Sequence, residues 1–99
     1  MPEDKFKRRL RETKRRIITT LTAQGYKVST FDSGPFDLCA GKGRQERRIR
    51  ICFAYTTADD INAVRLAPLP RHSHREIWQI SENGRHIVVC KVSGSDELL

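Results

Sequence analysis

The sequence predicts an α+β fold of the α/β type: an N-terminal helix packed on a mixed sheet of about five strands, with one further short helix. Three observations lead there. Apolar residues near the N-terminus recur at helical steps, residues 48–55 alternate between two side-chain sets as a strand does, and Asn83-Gly84 lies between two further strand-like runs.

From residue 4 to about residue 24, Phe6, Leu10, Ile17 and Leu21 draw an apolar stripe along a helix that Gly25 caps. The other faces carry Lys5, Arg8, Arg9, Arg11, Arg15 and Arg16, with Glu12 placed to pair with Arg8, Arg15 or Arg16. A solvated face explains such a pattern, and so does a surface that contacts phosphates; the density of charge favours the second. Lys14 falls in the gap of the stripe between Leu10 and Ile17, so it points toward the sheet, as a snorkelling lysine can.

Residues 26–31 read as a first strand, followed by a turn at Asp32-Ser33-Gly34-Pro35. A hairpin comes next. Residues 36–40 form a short apolar run broken by Asp37, Gly41-Lys42-Gly43-Arg44 supplies the tip, and residues 48–55 form the return strand. On that strand Ile49, Ile51, Phe53 and Tyr55 share the face expected to be core. Arg48, Arg50, Cys52 and Ala54 share the other, where chemistry is expected with Asp37 as a neighbour. The tip residues Lys42 and Arg44, continuing to Arg47 and Arg48, make a second basic cluster within reach of a backbone phosphate. Its Gly-x-Gly is a plain turn, since neither the dinucleotide fingerprint nor the P-loop is present.

Thr57-Ala58-Asp59-Asp60 offers an N-cap hydroxyl and early acids before Ile61, Val64 and Arg65, so a short helix begins there and stops before Pro68. Residues 68–74 read as an extended connection. Residues 75–80 and 86–92 form a last hairpin across Glu82-Asn83-Gly84. Residues 1–92 are expected to be a single domain and residues 93–99 a frayed, flexible tail.

The helix, then Gly25-Tyr26-Lys27-Val28, then Asp37-Leu38-Cys39-Ala40-Gly41-Lys42-Gly43-Arg44 leading into a long strand, resembles the core of archaeal-type Holliday junction resolvases. These belong to the PD-(D/E)xK nuclease superfamily, and the likeness covers about residues 5–55. It implies a restriction-endonuclease-like core, branched DNA as substrate and a homodimer. In that family a helix glutamate, a strand aspartate and a Glu-x-Lys on the next strand surround a divalent metal and a DNA phosphate. Asp37 matches the aspartate. The helix glutamate falls on Lys14 and the Glu-x-Lys on Arg50-Ile51-Cys52, both departures from the pattern. Magnesium needs hard oxygen ligands, so a lone Asp37 beside arginine holds it poorly, and the scaffold is expected to keep phosphate contact and lose hydrolysis.

Composition agrees with a polyanionic partner. With 19 Lys+Arg against 12 Asp+Glu the net charge is +7, which suits nucleic acid or an acidic membrane surface. No apolar run is long enough for a membrane span and the N-terminus lacks the apolar centre of a secretory signal, so the cytoplasm is expected. Cys39, Cys52 and Cys90 all fall in expected strands without short ligand spacing and read as small buried hydrophobes, not disulfide partners or zinc ligands. His72 and His74, with His86 or a cysteine, are a poor zinc set, and Ser73 has no nucleophile setting.

Asp37 is either a residual catalytic metal ligand or an acid paired with Arg50 or Lys14, and the pair is the simpler reading. Trp78 reads as core or dimer contact. The function expected is a non-catalytic or weakly catalytic DNA-binding protein. It would contact phosphates through Lys5, Arg8, Arg9, Arg11, Lys14, Arg15, Arg16, Lys42, Arg44, Arg47, Arg48 and Arg50, with no cofactor and no membrane. Two alternatives stand beside it: a magnesium-dependent endonuclease in which Glu46 or Glu12 replaces missing carboxylates, and a protein-interaction subunit whose apolar sheet edge or Trp78 meets another chain.

Overall fold

In the computed structural model, which describes residues 5–94, the elements follow as α1 (Lys5–Ala23), β1 (Lys27–Thr30), β2 (Leu38–Lys42), β3 (Gln45–Phe53), α2 (Ala58–Leu66), β4 (Ser73–Ile80) and β5 (Ile87–Val92). The strands form one sheet in the order β1-β2-β3-β4-β5. Every neighbouring pair is antiparallel except β3 and β4. That exception follows from the chain, because a strand returning parallel needs a crossover and α2 supplies it. The expected mixed sheet with two helices is therefore present. Residue 4 of the expected first helix and residues 95–99 of the expected tail lie outside the described residues.

The stripe on α1 buries Ile17 and Leu21 against Leu38, Ala40, Ile49, Ile51, Trp78 and Ile80. Gly25 ends the helix at φ 94°, where Tyr26 N–H donates to Leu21 O and Gly25 N–H to Thr22 O, both at 3.0 Å. This is the Schellman pattern, which a residue with a Cβ enters only with strain. At the other end the stripe outruns the sheet, leaving Phe6 exposed against Phe53.

The opposite face is closed by α2. Thr57 caps it, its hydroxyl accepting from Asp60 N–H while the Asp60 carboxylate accepts from Thr57 N–H, so the expected start is realised as a capping box. Val64 packs on Phe36, Cys52 and Ile77. This corrects the expectation that the Arg48, Arg50, Cys52, Ala54 face is open to chemistry. A helix on each side buries alternate side chains of β3 on both faces, and Cys52 belongs to a second core.

Other expectations shift for local reasons. The central hairpin closes two residues later than its composition suggests: Lys42 pairs with Gln45, and Gly43 at φ 61° followed by Arg44 makes the two-residue loop. Tyr55, expected in the core, lies beyond β3 and is 71% exposed, because Ala54 turns the chain out of the sheet at φ 68°. The last hairpin turns across Glu82-Asn83-Gly84 as expected: Gly84, at φ 73°, donates its N–H to Ser81 O at 2.8 Å, Ser81 N–H donates to His86 O at 2.9 Å, and the first strand pair is Ile80 with Ile87. Cys90, expected to be buried, is exposed on β5, the edge strand, where α2 reaches the end at Val92 but leaves Cys90 open.

Two polar residues are buried in β4. Glu76, 2% exposed, accepts from Arg47 Nε at 2.8 Å and Nη2 at 2.7 Å, and from Trp78 Nε1 at 2.9 Å. The Arg47 guanidinium in turn lies over the rings of Tyr26 and Trp78. Arg75, also buried, donates to Val64 O at 3.0 Å and Ala67 O at 2.6 Å, and so supplies donors to carbonyls that end α2. Removing one member of a buried pair costs far more than the pair is worth. Glu76→Ala is therefore expected to lower unfolding free energy by about 3 kcal/mol in urea titrations. Glu12→Ala, at the exposed Arg8 pair, should hardly move the midpoint; equal effects would contradict the assignment of Glu76 as a buried anchor.

Candidate functional site

Asp37 stands just before β2, where that strand separates from β3. Its backbone N–H donates to Ile49 O at 2.7 Å, and its Oδ2 accepts the Ile51 N–H at 2.7 Å, so a side chain continues the ladder where the main chain has turned away. The other oxygen, Oδ1, lies 4.0 Å from Lys14 Nζ, both side chains being about one-fifth exposed. Lys14 thus points toward the sheet as its place in the stripe predicts, and of the two partners expected for Asp37 it is the one found. Arg50 goes elsewhere. Its Nε and Nη2 donate to Asp60 Oδ1 at 2.9 and 2.8 Å, and its Nη1 to Pro35 O at 2.8 Å.

The donor set at this corner does not suit a divalent metal. One carboxylate is committed to a backbone N–H and faces an ammonium, Cys52 is in the second core, and Arg50 is paired to α2. Glu46 cannot substitute: it lies four residues along β3 from Arg50, about 13 Å at strand rise. It is held there by Arg48 Nε at 2.6 Å, Ser73 Oγ at 3.0 Å and the Cys39 thiol at 2.7 Å. Glu12 pairs with Arg8 on the exposed side of α1. Among the described residues no three His, Cys, Asp or Glu side chains gather as a metal would require.

The basic residues divide into two populations. Arg47, Arg48 and Arg50 of β3 are committed to Glu76, Glu46 and Asp60. Arg48 also lies over Phe31. Lys42 donates to Gln24 O at 2.8 Å and sits over Tyr26, fastening the hairpin tip to the end of α1. Arg9 and Arg16 reach the opposite way, to the carbonyls of Ser81 and Glu82 and of Gly84, and pin α1 to the connection between β4 and β5. The sequence places these residues at a phosphate surface; in the structure they join elements of the fold.

What remains outward is narrower and more orderly. Lys5, Arg8, Arg11 and Arg15 are exposed along the outer side of α1, with Lys7 beside them, and Arg44 is exposed at the hairpin tip beyond the far end of the helix. Lys7 is an addition to the residues expected from the sequence; it stands beside the apolar stripe, two turns before Lys14, and is exposed near the start of the helix. The only acid of α1 is Glu12. Asp60 is legible in the sequence as a cap but not as the partner of Arg50, a contact across ten residues and two elements that no periodicity announces. The arrangement offers a row of cations along α1 above a sheet in which Arg47, Arg48 and Arg50 are paired with acids.

Scanned against protein-family models, curated proteins and solved structures, the chain matches none.

The ion pairs set a pH dependence. Burial alone would raise the Asp60 carboxyl, but the Thr57 N–H and hydroxyl and the Arg50 guanidinium outweigh it and hold it at about 2. Burial likewise opposes ionisation of Glu76, which Arg47 and Trp78 reverse, and hydrogen bonds from Cys39, Arg48 and Ser73 lower Glu46. For each, the unfolded chain takes up protons first, so the stabilisation is complete above the ordinary carboxyl value of 4.5 and is lost as pH falls toward 2. Urea midpoints measured from pH 7 downward should stay level to about pH 5 and then fall steeply; a level profile to pH 3 would contradict these pairs.

Proposed function

We propose that this protein is a non-hydrolytic, phosphate-contacting DNA-binding module of nuclease-like fold, in which the outer face of α1 is the contact surface and Arg44 at the hairpin tip extends it. The observation that carries the reading is the row of exposed cations on α1 against a single acid, on a helix whose opposite side is committed to the core. A row of five cations from Lys5 to Arg15 spans about 15 Å of helix, long enough to meet successive phosphates of one strand. Base readout is not favoured by such a surface, so affinity should follow charge and shape.

The sheet order and the convergence of Lys14 on Asp37 support a relationship to the resolvase-like nucleases. An ammonium beside the one remaining carboxylate supports loss of hydrolysis. Three free cysteines, one of them exposed, suit a reducing compartment, and the cytoplasm is our assignment. No helix among the described residues is long and apolar enough to cross a membrane.

A labelled four-way junction, its matching duplex and its single strands, titrated across salt with and without Mg²⁺ or Mn²⁺, test the reading. Binding should weaken steeply with salt and no strand should be cut. Arg8→Glu with Arg15→Glu should flatten the salt slope by about 0.9 for each phosphate no longer neutralised. Arg65→Glu, a charge reversal on α2 across the sheet, should change it little. Metal-dependent cutting that disappears in Asp37→Ala would overturn the non-hydrolytic reading, and an Arg65 effect as large as that of α1 would overturn the surface.

A second reading concerns self-association and rests on β5. This edge strand exposes Ile87, Val88 and Val89, and apolar side chains flank it on both faces of the sheet. Edge strands of that character are templates for pairing. Antiparallel pairing of two copies centred on Val89 sets Lys91 opposite Ile87, so like charges do not face each other. We infer a homodimer joined through β5. Sedimentation equilibrium should give twice the monomer mass, and Val88→Lys should return it to the monomer; a wild-type monomer at high concentration would refute the dimer.

A further inference from the structure

The end of β3 carries a strained turn where the chain leaves the sheet for α2. Ala54 adopts φ 68°, its N–H donates to Ile80 O at 2.7 Å, and the next N–H, of Tyr55, turns back onto Phe53 O at 2.8 Å. A three-residue turn of this hand at a residue with a Cβ is rare and costs backbone energy. Its consequence is to lift Tyr55 out of the sheet line and leave its ring 71% exposed.

Beside Tyr55 lies a hollow of about 250 Å³ between the start of α1, the end of β3 and the start of α2. Phe6, 58% exposed, and Phe53 form its aromatic side, with ring centroids 5.6 Å apart and planes at 81°. Arg9 lies over Phe53, its guanidinium carbon 4.7 Å from the ring centre. Arg50, Thr57 and Asp60 supply the polar side. The volume is below that of drug-sized sites, enough for one planar ring and not two.

We propose that this aromatic notch takes one unpaired nucleobase from the strand whose phosphates lie along α1. The inference rests on the DNA-binding reading and adds to it a preference for DNA with a bulged base over continuous duplex. The exposed ring of Tyr55 gives a stacking surface that any base can use, because every base presents a π-face, and the neighbouring cations neutralise its phosphate.

The test uses a duplex with 2-aminopurine as a single-base bulge and a control in which the same base is paired. The full chain should bind the bulge about tenfold more tightly than the control, with the probe's emission quenched on binding. Tyr55→Ala should abolish the preference and the quenching while leaving affinity for the paired duplex unchanged, and Tyr55→Phe, which keeps the ring, should restore both. Equal affinities with undiminished emission, or a Tyr55→Ala loss shared by both duplexes, would overturn the notch and leave the α1 surface standing. Failure to bind either duplex at low salt would overturn both.

Discussion

The bidentate contact between Arg47 of β3 and the buried carboxylate of Glu76 on β4 is the constraint from which the rest of this structure follows. Those two strands run parallel and their side chains meet under α1, where water is excluded and an unpaired charge would be costly. Trp78 closes the remaining lobe of the carboxylate, and Tyr26 shares the guanidinium face with it. The register of β3 against β4 is thereby fixed by a charge pair as well as by the apolar residues on either side. Once it is fixed, Arg50 stands at the start of α2 and meets Asp60, while Arg75 stands at its end and meets the carbonyls of Val64 and Ala67.

An excess of basic residues is usually read as a surface property. Here a large part of it is internal. The arginines of β3 join strands and helices, and those at positions 9 and 16 fasten α1 across the sheet to residues 81–84. Arginine suits this work because its planar fork can satisfy several acceptors at once and its face packs on rings. Exposed charge is densest along the outer side of α1 and continues at the hairpin tip, while Lys27, Arg65, Arg71, Arg85 and Lys91 are exposed singly on other parts of the fold. The corner at Asp37 follows the same pattern: the carboxylate holds a backbone N–H and an ammonium, and serves the fold.

Much of the fold is legible in the sequence because its signals are local. The apolar stripe of α1, the Gly25 cap and the Thr57 and Asp60 capping box each lie within a helix or a turn, and each is found where it is expected, while the expected core face of β3 holds at Ile49 and Ile51 and ends with the strand at Phe53. The candidate surface is legible in type and only partly in membership. Lys14 toward Asp37 can be read from a gap in the stripe. The Arg47 contact with Glu76, the Arg50 contact with Asp60 and the role of Arg75 cannot, since each joins elements whose proximity is decided by the order of strands. Tyr55 is misplaced for a related reason: alternation continues through it in sequence, and only the backbone conformation of Ala54 breaks the strand. The exposure of Cys90 and its neighbours on β5 follows from the width of the sheet relative to its two helices, which no single segment encodes.

The central claim, that structural and partner-facing cations are different residues, is tested most directly by arginine footprinting with phenylglyoxal read by mass spectrometry, with and without duplex DNA. Arg15 and Arg44 should react at rates close to those of the unfolded chain and be shielded by DNA, while Arg47, Arg50 and Arg75 stay unreactive in both states until urea unfolds the protein. Rapid modification of Arg47 and Arg50 in the folded protein, or shielding by DNA of those residues and not of Arg15, would contradict it.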